Sequence, residues 1–422
     1  MTLQLQLRHV FSTTSGATPD SGNPEFWDGD IPWATPEDVS AVTGYWLEDT
    51  RRRITHAGYV SCGTRLAPAK SIVLTKRAPI GQLAILATEA CSNQGCFLLT
   101  PRNGPDARFF YYWLCANSGW LQILGRGSTF MELSTDDLKS LKVPLPSLVQ
   151  QEAIADFLDR ETARLDALVA AKGRLLGLLA EKRRALITRA VTRGLDADAP
   201  LRDSGLPWLG QIPTHWHTRR LKFLVRRIDQ GWSPECHNVP AVKDEWGVLK
   251  AGCCNGGVFN PTENKSLPGD LEPPPQLEII PGDILMSRAS GSVDLIGSVA
   301  VVPQGCPSRL VLSDKIYRFH LEAGCADPGY FATALASGVG RVQIQRVVSG
   351  AEGLANNIAQ SDIREFVLPL PPLGEQRAIV AHIASETAKL DALRAAAERT
   401  IVLLKERRAA LIAGAVTDRV SA

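Results

Sequence analysis

Slid against itself by 225 residues, the second half of this chain falls on its first. PLPSLVQQEAI from Pro144 meets PLPPLGEQRAI from Pro369, ETARLDALVAA from Glu161 meets ETAKLDALRAA from Glu386, and EKRRALITRAVT from Glu181 meets ERRAALIAGAVT from Glu406 without a gap. About half of some 50 positions are identical, more than helical composition bias explains. The chain was built by duplication, so whatever one half folds into constrains the other.

Each repeat opens on prolines (Pro144 and Pro146; Pro369, Pro371 and Pro372) that forbid continuation of the preceding element. About 45 proline-free residues follow, dominated by Ala, Leu, Glu, Lys and Arg, and predict one helix about 65 Å long, longer than a single domain is wide. In the first copy Ile154, Leu158, Leu165, Leu168, Leu175, Leu179 and Leu186 recur in steps of four and three, interrupted by Glu161, Lys172 and Lys182. In the second, Ile379, Ile383, Leu390, Leu393, Leu404 and Leu411 do the same, interrupted by Glu386 and Arg407. Early acidic and late basic interruptions favour antiparallel pairing, which would bring Glu161 towards Arg407 and Glu386 towards Lys182; the alternative is that these charges only complement each helix dipole.

The segments before the helices are duplicated more weakly. Leu133 and Asp137-Leu138 match Ile358 and Asp362-Ile363, and LKVPL matches FVLPL as a short strand. Asp106, Phe109-Phe110 and Leu114 match Asp327, Tyr330-Phe331 and Leu335 as a short amphipathic helix, and Ser92-Asn93-Gln94 is set against Ser313-Asp314-Lys315. PAKSIVLTKRAPIGQLAIL from Pro68 resembles PGDILMSRASGSVDLIGSVAVV from Pro281, with four extra residues before the shared Gly81 and Gly297, and both read as strand, turn, strand. The expected architecture is α+β: two globular domains, residues 1–143 and 219–368, alternating with two long helices, 144–193 and 369–420, that pair as an antiparallel coiled coil about a pseudo-twofold. Residues 194–218 read as a linker pinned by Trp208 and Trp216.

Lys and Arg number 46 against 44 Asp and Glu, a balance that neither demands nor forbids a polyanionic partner. The start lacks a signal-peptide pattern and no run of about 18 apolar residues occurs, so a cytoplasmic location is expected. The nine cysteines contain no C-x-x-C and read as reduced packing residues. No phosphate-binding glycine loop, H-E-x-x-H or second proline after Asn23-Pro24 suggests catalysis. Cys236-His237 with Cys253-Cys254 has the wrong spacing for zinc, and His215 and His217 read as structural, so no metal is expected.

The proline starts and the ETARLDAL and ETAKLDAL runs, with IPWATPEDV at Ile31, SNQGCFLLTPR at Ser92, LPWLGQIPTHW at Leu206 and PGDILMSR at Pro281, resemble the DNA specificity subunits of type I restriction-modification systems over essentially the whole chain. The resemblance implies a non-catalytic subunit whose two target-recognition domains read the halves of an asymmetric, bipartite DNA target. Its helices would fix the spacer and dock two methyltransferase subunits, with nuclease/translocase subunits joining later. S-adenosylmethionine, ATP and Mg would sit on those partners, with no cofactor here. The first half has no counterpart of GQIPTHW, which in the resemblance implies a shortened amino terminus. A rival of another class is a two-domain coiled-coil adaptor that binds proteins.

Reading a duplex needs Arg and Lys for phosphates and guanine edges. Candidates are Lys76, Arg77 and Arg288, which follow equivalent strands, the run Arg51, Arg52 and Arg53, and Arg346 near Gly350.

Overall fold

The computed structural model describes residues 3–77, 79–125, 131–348 and 356–417; Gly350, beside which Arg346 was placed, lies outside them. The chain divides into two compact units, each assembled from non-contiguous pieces: Met1–Gly173 with Glu398–Ala422, and Arg174–Ala397. The long helices span Leu148–Arg193 and Leu373–Thr417, so each helix gives one end to each unit.

The first unit holds a five-stranded sheet in the order Phe11–Ser15, Cys96–Pro101, Ile72–Thr75, Leu83–Leu86, Trp46–Leu47, antiparallel except for its last pair. The second holds an antiparallel sheet in the corresponding order Val225–Gln230, Ile316–Leu321, Ile284–Ser287, Val299–Val301. The expected strand, turn, strand is present in both, and Gly81 and Gly297 take φ of +91° and +75° in the turns, a conformation that costs glycine little. Asp106 and Asp327 cap the expected helices, Ala107–Ala116 and Pro328–Ala336.

One proposed match is shifted by a residue. Strands Cys96–Pro101 and Ile316–Leu321 begin at equivalent points, and a Cβ on Gly16 would lie 2.2 Å from the Ser92 carbonyl oxygen, while one on Gly231 would lie 1.9 Å from that of Leu312. Asn93, not Ser92, is therefore the counterpart of Ser313; sequence identity misplaced a loop that backbone packing fixes.

Leu3–Gln6 pairs with Lys142–Leu145 as His217–Arg220 pairs with Val367–Leu370, so both proline turns leave from a two-stranded ribbon. Before the second ribbon, Leu201–Asp203 pairs with Gln211–Pro213, and Trp216 is fully buried with its indole N–H donating to Glu375 at 3.0 Å. The linker is thus pinned down, chiefly by Trp216.

In the first unit Phe97, Phe110 and Leu114 pack with Ile154 and Leu158 from the start of the first long helix and Ile412 and Val416 from the end of the second. In the second unit Phe319, Tyr330 and Leu335 pack with Val191 from the end of the first and Ile379 and Ile383 from the start of the second. Each fully buried Leu, Ile or Phe contributes about 1.5–3 kcal/mol, so the helix ends are structural parts of the domain cores. Within each unit the helices run antiparallel, as their charge pattern predicted.

The seam differs in detail from the expected stripe. Ile154, Leu158, Leu165, Leu179, Ile379, Ile383 and Leu390 are buried, and Leu186, Leu404 and Leu411 half-buried. Leu168, Leu175 and Leu393, however, are exposed at 43%, 37% and 56%. Thr162, Val169, Lys172, Leu176 and Arg183 occupy the intervening inward positions, so the true heptad runs through polar residues that the Leu pattern hides. The cross-helix ion pairs are also displaced from the expected ones. Asp166 meets Arg408 at 3.0 Å in the first unit, and Arg183 meets Asp391 at 2.6 Å in the second. These two pairs are duplicates of each other. Glu386 instead binds Lys389, which with a smaller effect from Lys182 holds its carboxyl below the usual range.

Candidate nucleic-acid interface

The equivalence of Lys76 and Arg288 extends to their surroundings. Each follows a central strand, Ile72–Thr75 or Ile284–Ser287, and each accepts at its carbonyl the N–H of a duplicated residue, Leu133 or Ile358. Each cation also stands near an equivalent ring: Lys76 Nζ is 5.2 Å from the centre of Phe97, and Arg288 Cζ is 5.7 Å from that of Tyr317. Burial raises the Tyr317 phenol pKa, and its hydroxyl donates to the Ile358 carbonyl at 3.1 Å.

The partners differ. Lys76, only 12% exposed in its side chain, binds Glu132 at 2.9 Å and donates to Ser15 Oγ at 3.0 Å, while Arg77 takes the other Glu132 oxygen at 3.0 Å. Lys76 is the largest influence holding the Glu132 carboxyl below its ordinary range. In the second unit the position duplicating Glu132 is Asn357. Arg288 reaches its Oδ1 at 3.4 Å and the Asp314 carbonyl at 3.5 Å, and its buried Nε has no partner among the described residues. A carboxylate neutralises the cation in one domain; in the other a neutral amide leaves guanidinium donors weakly bonded.

The remaining candidates do not join these clusters. Arg51 binds Glu37 at 3.0 Å and Arg53 binds Asp49 at 2.8 Å. Arg52 lies over the Trp27 ring at 3.5 Å, and Trp27 packs edge-on against Trp33. Arg346 is exposed in the last turn of helix Gly338–Val347. Cys253 and Cys254 are fully buried with sulfurs 3.6 Å apart, in the cluster of Phe259, Leu285 and Leu312. Among the described residues no group of three His, Cys, Asp or Glu side chains is placed to hold a metal, and no helix is long and apolar enough to cross a membrane.

Sequence reasoning missed two buried glutamines. Gln151 Oε1 accepts the Asp106 N–H at 2.9 Å while its Nε2 donates to the Pro146 carbonyl at 2.9 Å. Gln376 does the same with Asp327 and Pro371, both at 2.8 Å. Their identity across the duplication was visible; their role was not, because neither lies in a charge or apolar pattern.

Residues 4–172 match the family model for the type I restriction modification DNA specificity domain. Over 155 residues the chain is 34% identical to the type I restriction enzyme MjaIX specificity subunit of Methanocaldococcus jannaschii, covering 36% of each protein. Over 185 residues it is 33% identical to the type I restriction enzyme EcoEI specificity subunit of Escherichia coli, covering 44% of this chain and 30% of that one. The matched segments span about a third of the length of these relatives. A chain solved in work on complex assembly and conformational transition of the type I R-M system is similar in fold, with a TM-score of 0.71 at 16% identity over 98% of this chain and 97% of that one.

Proposed function

We propose that this chain, whose residues 4–172 match the type I restriction modification DNA specificity domain, belongs to that family and is the sequence-reading subunit of a type I complex. It reads a bipartite, asymmetric duplex target with two unlike domains and performs no catalysis itself. Two methyltransferase subunits carrying S-adenosylmethionine dock on it, restriction/translocase subunits bring ATP and Mg, and the complex works in the cytoplasm.

The observation that carries this reading is a repeated mount with unrepeated readers. The glutamine braces and strand ends recur with matching geometry, whereas the equivalent cations face Glu132 in one domain and Asn357 in the other. Two related readers with different polar surroundings suit two different half-sites, and one chain carrying both escapes the palindrome a homodimer imposes. Arg288, with spare donors, is the residue assigned to a guanine edge or phosphate in one half-site. Leu168 and Leu178, with their duplicates Leu393 and Leu403, are exposed leucines on the helices and suit partner docking.

Methylome sequencing of cells carrying the methyltransferase partner, with and without this chain, tests the proposal. Chain-dependent adenine methylation at one bipartite, non-palindromic motif is expected. An unchanged methylome would favour a protein-binding adaptor.

A further inference from the structure

Resting on that reading, we propose that Gln151 and Gln376 are positioning residues that set the angle at which each recognition domain leaves its long helix, and thereby the spacer length the protein accepts. Both are almost wholly buried, at 3% and 1% exposure. Each stands in the first turns of a long helix and joins three parts with one carboxamide: the proline turn, the long helix and the N-cap of the domain's own helix. The task needs a donor and an acceptor on one planar group, which glutamine offers and glutamate at neutral pH does not.

Apolar packing of the helix start is shared, through Ile154 and Leu158 in one unit and Ile379 and Ile383 in the other, but the other polar ties around that junction differ among the described residues. Arg108 binds Asp156 and Asp159 at 2.7 and 2.8 Å in the first unit. In the second, the Tyr330 hydroxyl donates to the Pro369 carbonyl at 2.9 Å, and Gly329 lies against Val380. The amide brace recurs where the neighbouring polar ties have diverged, which points to an angle common to both halves.

A brace at a pivot has leverage. For a domain of this size, a rotation of about 10° at a pivot about 20 Å from the reading loops moves them by about 3.5 Å, close to one base-pair step. A small loss of angular definition therefore lets a neighbouring spacer length fit, without altering which bases each domain prefers.

The test uses the full chain in complex with its methyltransferase partners, after the wild-type motif is known. Duplexes carrying that motif with the native spacer, and with one base pair removed or added, are titrated against wild type, Gln151→Met and Gln376→Met. Methionine matches the length of glutamine but cannot replace both hydrogen bonds. The proposal expects preference for the native spacer to fall by about tenfold in each variant, with base preference within each half-site retained. Equal weakening on all three duplexes, or unchanged spacer preference, overturns it. Should a methionine variant fail to fold by circular dichroism, Gln→Glu at the same position, which keeps the acceptor for the Asp N–H, is read in the same way with the same outcomes. If the wild-type complex selects no bipartite duplex at all, the proposed function itself falls, a result distinct from failure of the brace.

Discussion

Glu132 and Asn357 give two equivalent cations different electrostatic surroundings, and that difference can be measured. Glu132 has a depressed folded pKa, so it adds stability that is fully present above the ordinary glutamate value near 4.3 and is lost as the pH falls through its lower folded value. Lys76→Met removes the main cause of that depression. Denaturant melts should show the variant less stable than wild type at pH 7, with the gap narrowing below about pH 4; a constant gap would show that Lys76 acts through packing alone. Arg288→Ala has no carboxylate to leave stranded, and on the proposed function it costs about 1–3 kcal/mol of binding at one half-site only. Titrations against duplexes altered in one half or the other read this directly, and an equal loss at both halves would remove Arg288 from the reading surface.

At the scale of the helices, the exposed leucines and the true seam make opposite forecasts. Leu390→Asp, at a position 7% exposed, places an unpaired charge among apolar neighbours and should cost about 3 kcal/mol or more. Leu393→Asp, three residues on and 56% exposed, should leave thermal unfolding of the isolated chain within about 0.5 kcal/mol of wild type. The Asp166–Arg408 and Arg183–Asp391 pairs are partly exposed, and a double-mutant cycle on either should return a coupling of about 0.2–1 kcal/mol. They favour antiparallel register more than they add stability. The direction of pairing was legible because acidic and basic interruptions lie at opposite ends of each repeat. The partners were not, since helices rich in Ala and Leu present more than one seven-residue series, and the series through Thr162, Lys172 and Arg183 does not look apolar.

At the scale of the molecule, each unit is completed by chain from the other half of the sequence. Ile412, Ala415 and Val416 belong to the core that contains Phe97 and Phe110, so truncation after Ala397 should strip hydrogen-exchange protection from helix Ala107–Ala116 and leave Pro328–Ala336 protected. Equal loss in both helices would contradict the division into units. The sequence by itself determined the duplication, the long helices, the antiparallel direction and the equivalence of Lys76 with Arg288. Prolines, helix formers and a constant offset act locally, and a repeated sequence inherits its partner's backbone. Tertiary structure alone decided which helical face is buried, that Asn93 rather than Ser92 answers to Ser313, that Gln151 and Gln376 are braces, and that the far end of the chain closes the first core. Those outcomes depend on close packing and on finding partners for most buried polar groups, conditions imposed by neighbours that the linear order of residues does not place together.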